Sequence, residues 1–152
     1  MEEREVKQYI IVREDLGINA GKACAQAGHS VMKVFFDKMI KTKLIPIIKI
    51  GDEEITHEFS FGATEEEVQW IEGMFTKIVK KVKNEAQLLK VYNAAKDAGL
   101  NVSLVKDAGL YGLEGENYTV VAVGPNYVDK CEPIVGKLRL LTDLKIKNDE
   151  SN

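Results

Sequence analysis

Gln8-Tyr9-Ile10-Ile11-Val12-Arg13-Glu14-Asp15-Leu16-Gly17-Ile18-Asn19-Ala20-Gly21-Lys22 is the stretch on which the fold turns. Its first six residues are a short, largely apolar run with β-branched members, the pattern of a buried strand. Glu14 to Ile18 reads as a turn. Asn19 is placed to cap a helix from Ala20, because its side chain can accept a bond from an orphan first-turn N–H. Beyond it Ala23, Ala27, Val31, Val34, Phe35 and Met39 recur at three- and four-residue steps, which predicts an amphipathic helix. Strand, glycine-containing turn and helix form the first half of a crossover unit.

Further along, Leu44 to Ile50 and Glu53 to Phe61 alternate around Gly51-Asp52 and predict a hairpin. Thr64-Glu65-Glu66-Glu67 has the form of a capping box and opens a short helix through Ile71. Phe75 to Val82 predicts a strand. Asn84 caps a helix whose Leu88, Leu89, Val91, Tyr92 and Ala95 face the core, and Gly99 ends it. Asn101 to Val105 and Tyr118 to Val123 predict two more strands, the second ended by Gly124-Pro125. A last helix is expected from Tyr127 to Val135, with Leu138 to Leu141 as an edge strand. Helices with one apolar stripe each, at 20–39 and 85–98, call for packing on both faces of a mixed sheet.

Composition narrows the function classes. The chain has 152 residues, 45% hydrophobic and 30% charged, which suits one globular domain and excludes a disordered one. We expect that domain over 1–144, with a polar tail at 145–152. No apolar run reaches the roughly 18–20 residues of a membrane span, and the acidic start Met1-Glu2-Glu3-Arg4-Glu5 lacks the pattern of a secretory signal. A cytoplasmic location is the expectation. Cys24 and Cys131 have no metal-ligand spacing, so reduced thiols are expected, with Cys24 on the apolar side of its helix. The net charge of −3 means that any anion binding must come from a local patch.

Gly21-Lys22 at a helix start is an anion site in physical terms, since unpaired N–H groups, the helix dipole and an ammonium all favour negative charge. Taken alone, Lys22 also reads as a solvated first-turn lysine. Asp107 ends a predicted strand, where open α/β sheets bind ligands, but taken alone such a residue more often makes an Asx turn onto its own backbone. Asp15, after the first strand, has the same two readings. Gln26 shares a helix face with Lys22, and His29 lies two turns beyond Lys22, where a lone histidine is most often structural.

Together these segments resemble the type 2 peptidyl-tRNA hydrolases. The resemblance rests on Gln8 to Gly17, on Gly21-Lys22-Ala23-Cys24-Ala25-Gln26-Ala27-Gly28-His29-Ser30, on Gly99 to Gly109, and on Thr119-Val120-Val121-Ala122-Val123-Gly124-Pro125. It implies a three-layer α/β/α sandwich around a small mixed sheet, with the segment near 43–73 extra or divergent. It also implies hydrolysis of the ester joining a peptide to the terminal ribose of tRNA, with no metal or organic cofactor, in a homodimer. On this resemblance Lys22 and Asp107 are the catalytic residues, and Gln26 and His29 bind substrate; Asp15 after the first strand and Tyr111, whose hydroxyl could replace a threonine of the family, are further substrate-binding candidates. The chain departs from the family at Ala20, where a lysine is usual, and at Gly28, where a serine is usual. It departs again at Leu110-Tyr111-Gly112, which replaces a basic residue, a threonine and a Gln or Glu. Loss of those polar groups implies weaker hydrolysis. The competing reading is a non-catalytic RNA- or protein-binding module on the same scaffold.

Overall fold

Eight residues of strand, Val6–Arg13, form β1 at the middle of a five-stranded sheet in the computed structural model, which describes residues 4–41, 45–47, 56–58, 61–109, 113 and 115–143. The predicted tail at 145–152 and the tip of the predicted hairpin lie outside the described residues. β1 reads as a continuous apolar run because both its faces are covered. Tyr9 and Ile11 enter one core cluster, while Ile10 and Val12 enter another on the opposite face.

The remaining elements are α1 (Ala20–Lys41), β2 (Ile45–Ile47), β3 (Thr56–Glu58), α2 (Glu65–Glu72), β4 (Lys77–Val82), α3 (Glu85–Asp97), β5 (Val102–Asp107), β6 (Asn117–Tyr127), α4 (Val128–Val135) and β7 (Arg139–Leu140). The main sheet runs β5-β6-β1-β4-β7, and β2 pairs with β3 in a separate antiparallel ladder. β1 is parallel to β4 and antiparallel to β6, which is antiparallel to β5. The carboxyl ends of β1, β4 and β5 therefore share one sheet edge. Ala27 and Val31 of α1 pack on Ile10, Val12 and Val120. Leu88, Val91 and Ala95 of α3, with Cys131 and Val135 of α4, pack on Tyr9, Ile11, Val121 and Val123. The architecture is the three-layer α/β/α sandwich that the sequence resemblance implied.

Four local features differ from the sequence expectation. The buried line of α1 keeps Ala23 and Val34 of the predicted stripe but adds Gln26 and Ser30, with Ala27 and Val31 only partly buried, because Ser103 on β5 donates to the Ser30 carbonyl at 2.6 Å and draws that side onto the sheet. Cys24, expected on the apolar side, is exposed as a result. β4 begins at Lys77, since Phe75 adopts φ 56° and breaks the extended run. β6 continues through Gly124-Pro125 to Tyr127 instead of ending there.

Gly124 allows that continuation. It has φ +96°, and an added Cβ would lie 2.5 Å from the Lys7 carbonyl oxygen on β1. Gly124→Ala combines a left-handed backbone with a backbone clash. It is expected to destabilise the fold by about 2 kcal/mol, read as a lower urea midpoint.

Candidate functional site

The site begins with two elements delivered to the same sheet edge. Asn19 caps α1 by accepting from the Lys22 backbone N–H at 2.9 Å, which fixes the first helical turn. Lys22 then lies one turn before Gln26 on the same face. On β5 the strand alternation turns Ser103, Val105 and Asp107 toward α1, as the Ser103 bond to Ser30 fixes. Asp107 thus ends the strand aimed at the start of the helix.

The contacts are close. Lys22 Nζ lies 3.3 Å from Asp107 Oδ1 and 3.2 Å from Oδ2, and the two side chains retain 15% and 12% of their exposure. Gln26 Nε2 donates to Asp107 Oδ2 at 2.9 Å. The Gly109 N–H donates to Oδ1 at 2.8 Å, so an Asx turn and the contacts to Lys22 and Gln26 share one carboxylate. Gly109 sits at φ +76°, with an added Cβ only 2.4 Å from the Gly115 carbonyl oxygen, so the turn admits no larger residue without moving. The Gly109 hydrogen bond and the Lys22 ammonium hold the Asp107 carboxyl below the usual carboxylate range, against the opposing effect of burial.

Thr119 completes the cluster and was not singled out from sequence. Val105 pairs with Val120, but Lys106 pairs with Tyr118, leaving Thr119 as the extra residue of a β-bulge. Regular alternation would have turned it away from Val120; the bulge turns it toward α1, where its fully buried hydroxyl donates to Gln26 Oε1. That bond fixes the amide, so that Nε2 faces Asp107. Thr119→Val keeps the shape but leaves a buried acceptor unpaired. The expected results are a loss of about 1–3 kcal/mol of stability in urea unfolding and a rate reduced about tenfold.

The other sequence candidates stand apart. Asp15 is gripped by Arg13, whose Nε and Nη2 lie 3.0 and 2.8 Å from its two oxygens. That guanidinium lowers the Asp15 pKa and also donates to Glu85 and to the Tyr118 carbonyl. His29 is exposed and makes no direct contact with Asp107, though its charge, when present, favours the Asp107 carboxylate. Tyr111, with Leu110 and Gly112, lies outside the described residues. Among the described residues no group of three His, Cys, Asp or Glu side chains could hold a metal.

The family described as Peptidyl-tRNA hydrolase PTH2 matches residues 6–141, a span that contains all four clustered side chains. The chain belongs to this family. A peptidyl-tRNA hydrolase of Methanocaldococcus jannaschii is 33% identical over 136 residues, covering 90% of this chain and 100% of that protein. One from Methanothermobacter thermautotrophicus is 34% identical over 139 residues, with 90% and 100% covered. One from Aeropyrum pernix is 35% identical over 134 residues, with 88% and 94% covered. As a peptidyl-tRNA hydrolase of this family, the chain is an enzyme that acts on the ester bond of peptidyl-tRNA. No helix among the described residues is long and apolar enough to cross a membrane.

Proposed function

We propose that Lys22, Gln26, Asp107 and Thr119 form the hydrolytic centre for peptidyl-tRNA. The observation that carries this reading is the Lys22–Asp107 contact, 3.2 Å and largely buried, at the carboxyl end of β5. An ammonium there meets the negative charge that develops on the ester carbonyl oxygen when water attacks. Asp107 orients that water. Its lowered pKa makes it a weak base, so it receives the proton as the attacking oxygen gives up electrons to the carbonyl carbon. Gln26 and Thr119 position the carboxylate and do not touch the reacting atoms. The bond that breaks is the one from carbonyl carbon to ribose oxygen; the proton held by Asp107 passes to that oxygen, so tRNA leaves with a free hydroxyl and the peptide as its carboxylic acid.

Asp15, His29 and Tyr111 belong to this reading as substrate-binding residues, and a rate below that of family members with the usual loop follows from Leu110 and Tyr111. Translation supplies the substrate, so a cytoplasmic location goes with the reading. A homodimer fits the exposed Ile71, Met74 and Phe75 on one side of the molecule, and sedimentation would test it. The activity itself is tested by incubating purified protein with peptidyl-tRNA and following deacylated tRNA. Steady release proportional to enzyme supports the reading; tRNA binding with no turnover at high enzyme concentration overturns it in favour of a binding module.

The pH dependence follows from the sign of the Asp107 shift. A depressed folded-state pKa means that the carboxylate form persists below the unfolded value near ~3.9. Its contribution to stability is present above that value and is lost as pH falls through the folded value. Hydrolysis should therefore show no acid limb from Asp107 between about pH 5 and 7. A kcat/KM profile that falls with a pKa abolished by Asp107→Asn inside that window would contradict it.

A further inference from the structure

We propose that the groove between α3 and α4 holds the phosphate backbone of the tRNA body, away from the ester. The proposal rests on the peptidyl-tRNA reading and names a second surface for the same substrate. The groove has a volume of about 610 Å³, with Val91 and Leu138 among its apolar walls. Its charged lining is Lys81, Lys83, Lys90, Lys137 and Arg139 against the single carboxylate of Glu14, in a chain whose net charge is −3.

Lys81 is committed, lying 3.1 Å from Glu14 and 3.6 Å from Asp143. Lys83, Lys90, Lys137 and Arg139 are exposed and have no carboxylate partner among the described residues. The cations described on α1 and β5 differ. Lys22 meets Asp107, Lys33 meets Asp37, Lys38 meets Glu67 and Lys106 meets Glu116. Among the described residues, a polyanion approaching this protein therefore finds four cations without a carboxylate partner together in the groove.

Position supports the same occupant. Arg13 and Val82 are paired on β1 and β4, and Asp107 and Asn117 on β5 and β6, all at one sheet edge. Glu14, Val82 and Lys83 at that edge open the groove. Three strand spacings separate β5 from β4, roughly 14 Å at about 4.8 Å each. That is about four steps of a nucleic-acid strand at ~3.4 Å per nucleotide. The groove opens on the α3 and α4 face and the cluster on the α1 face, so an RNA that passes over this edge of the sheet can reach both places. Lys90 lies on α3 and Lys83 just before its Asn84 cap, which spreads the charge from the start of that helix along it. The polar lining side chains are at least partly exposed, which suits backbone contacts more than a small ligand that needs a shaped, buried anchor.

The test compares wild type with the combined Lys83→Glu, Lys90→Glu, Lys137→Glu and Arg139→Glu variant, and with the four-site Gln version in case charge reversal impairs folding. Circular dichroism melts check the fold. Each protein is assayed on full-length peptidyl-tRNA and on a peptidyl oligonucleotide that keeps only the 3′ end, and its binding to deacylated tRNA is titrated against salt. The expected result is that KM for peptidyl-tRNA rises at least about tenfold and the advantage of the full-length over the short substrate shrinks by the same factor. The slope of log affinity against log salt should shrink by up to about 3.6, since each of the four phosphates left without its cation lowers it by about 0.9. An unchanged KM ratio together with an unchanged slope overturns the proposal, and leaves the groove to some other acidic partner. If wild type binds tRNA without hydrolysing it, and the variant loses that salt slope, the groove stands and the catalytic reading fails.

Discussion

Asp107→Asn is expected to lower kcat on peptidyl-tRNA by about 100-fold, equivalent to roughly 2.7 kcal/mol of barrier. The substitution keeps the shape and removes the charge. Asp107 now accepts from Lys22, Gln26 and the Gly109 N–H, and an amide in its place would turn an NH2 toward at least one of those donors. Lys22 would lose its anchor and the attacking water its acceptor. Lys22→Met should produce a loss of the same order, because it removes the ammonium bound to that carboxylate while keeping most of the side-chain stem. A loss of this size is what removing one preorganised charge-stabilising group costs in ester and amide hydrolysis. The measurement is single-turnover release of tRNA at saturating enzyme, which separates chemistry from binding.

Leu88→Ala should have the largest effect on stability, and it tests the opposite layer. Leu88 is completely buried in α3, in the cluster with Ile11, Val121 and Cys131. Truncation to Ala there is expected to cost about 2–5 kcal/mol, from lost transfer energy and the cavity left behind. For a chain of this length that lowers the thermal midpoint by roughly 10 °C. Since Leu88 lies across the sheet from Lys22 and Asp107, the rate per folded molecule should not change well below the midpoint. A scanning calorimetry trace with an unaltered midpoint would contradict the assignment of α3 to the core.

How far the sequence could be read depends on which physical signals were local. β1 and α1 were legible because a two-sided buried strand and an Asn cap are written in consecutive residues. The capping box at Thr64 was legible too, and Glu67 Oε2 does accept from the Thr64 N–H at 2.8 Å. Lys22, Gln26 and Asp107 were found because the family resemblance joined them; spacing alone left Asp107 between an Asx turn and a site. The Asx turn is present, and the same carboxylate also meets Lys22 and Gln26, since it has room for several donors.

What escaped was set by tertiary contact. The polar line Gln26 and Ser30 faces the sheet because Ser103 and Thr119 meet it there, and a hydrophobic stripe cannot report partners that are themselves polar. Thr119 depends on a one-residue bulge opposite Val105, and a bulge leaves no mark in the run Tyr118 to Val123 beyond one polar residue in a buried strand. That residue was the available signal. Phe75 likewise carries no sequence mark of its left-handed backbone. Asp15 looked equivalent to Asp107, but a neighbouring Arg13 holds it, an outcome decided by where the guanidinium could reach.

The central claim is that Lys22 and Asp107 act as one unit on the ester. The most direct test is to measure single-turnover hydrolysis for wild type, Lys22→Met, Asp107→Asn and the double variant, with circular dichroism confirming that each is folded. Groups that act as a unit are strongly non-additive. Each single variant should fall about 100-fold, and the double variant should be about as slow as the slower single one. Single variants that are folded and within twofold of wild type would contradict the account.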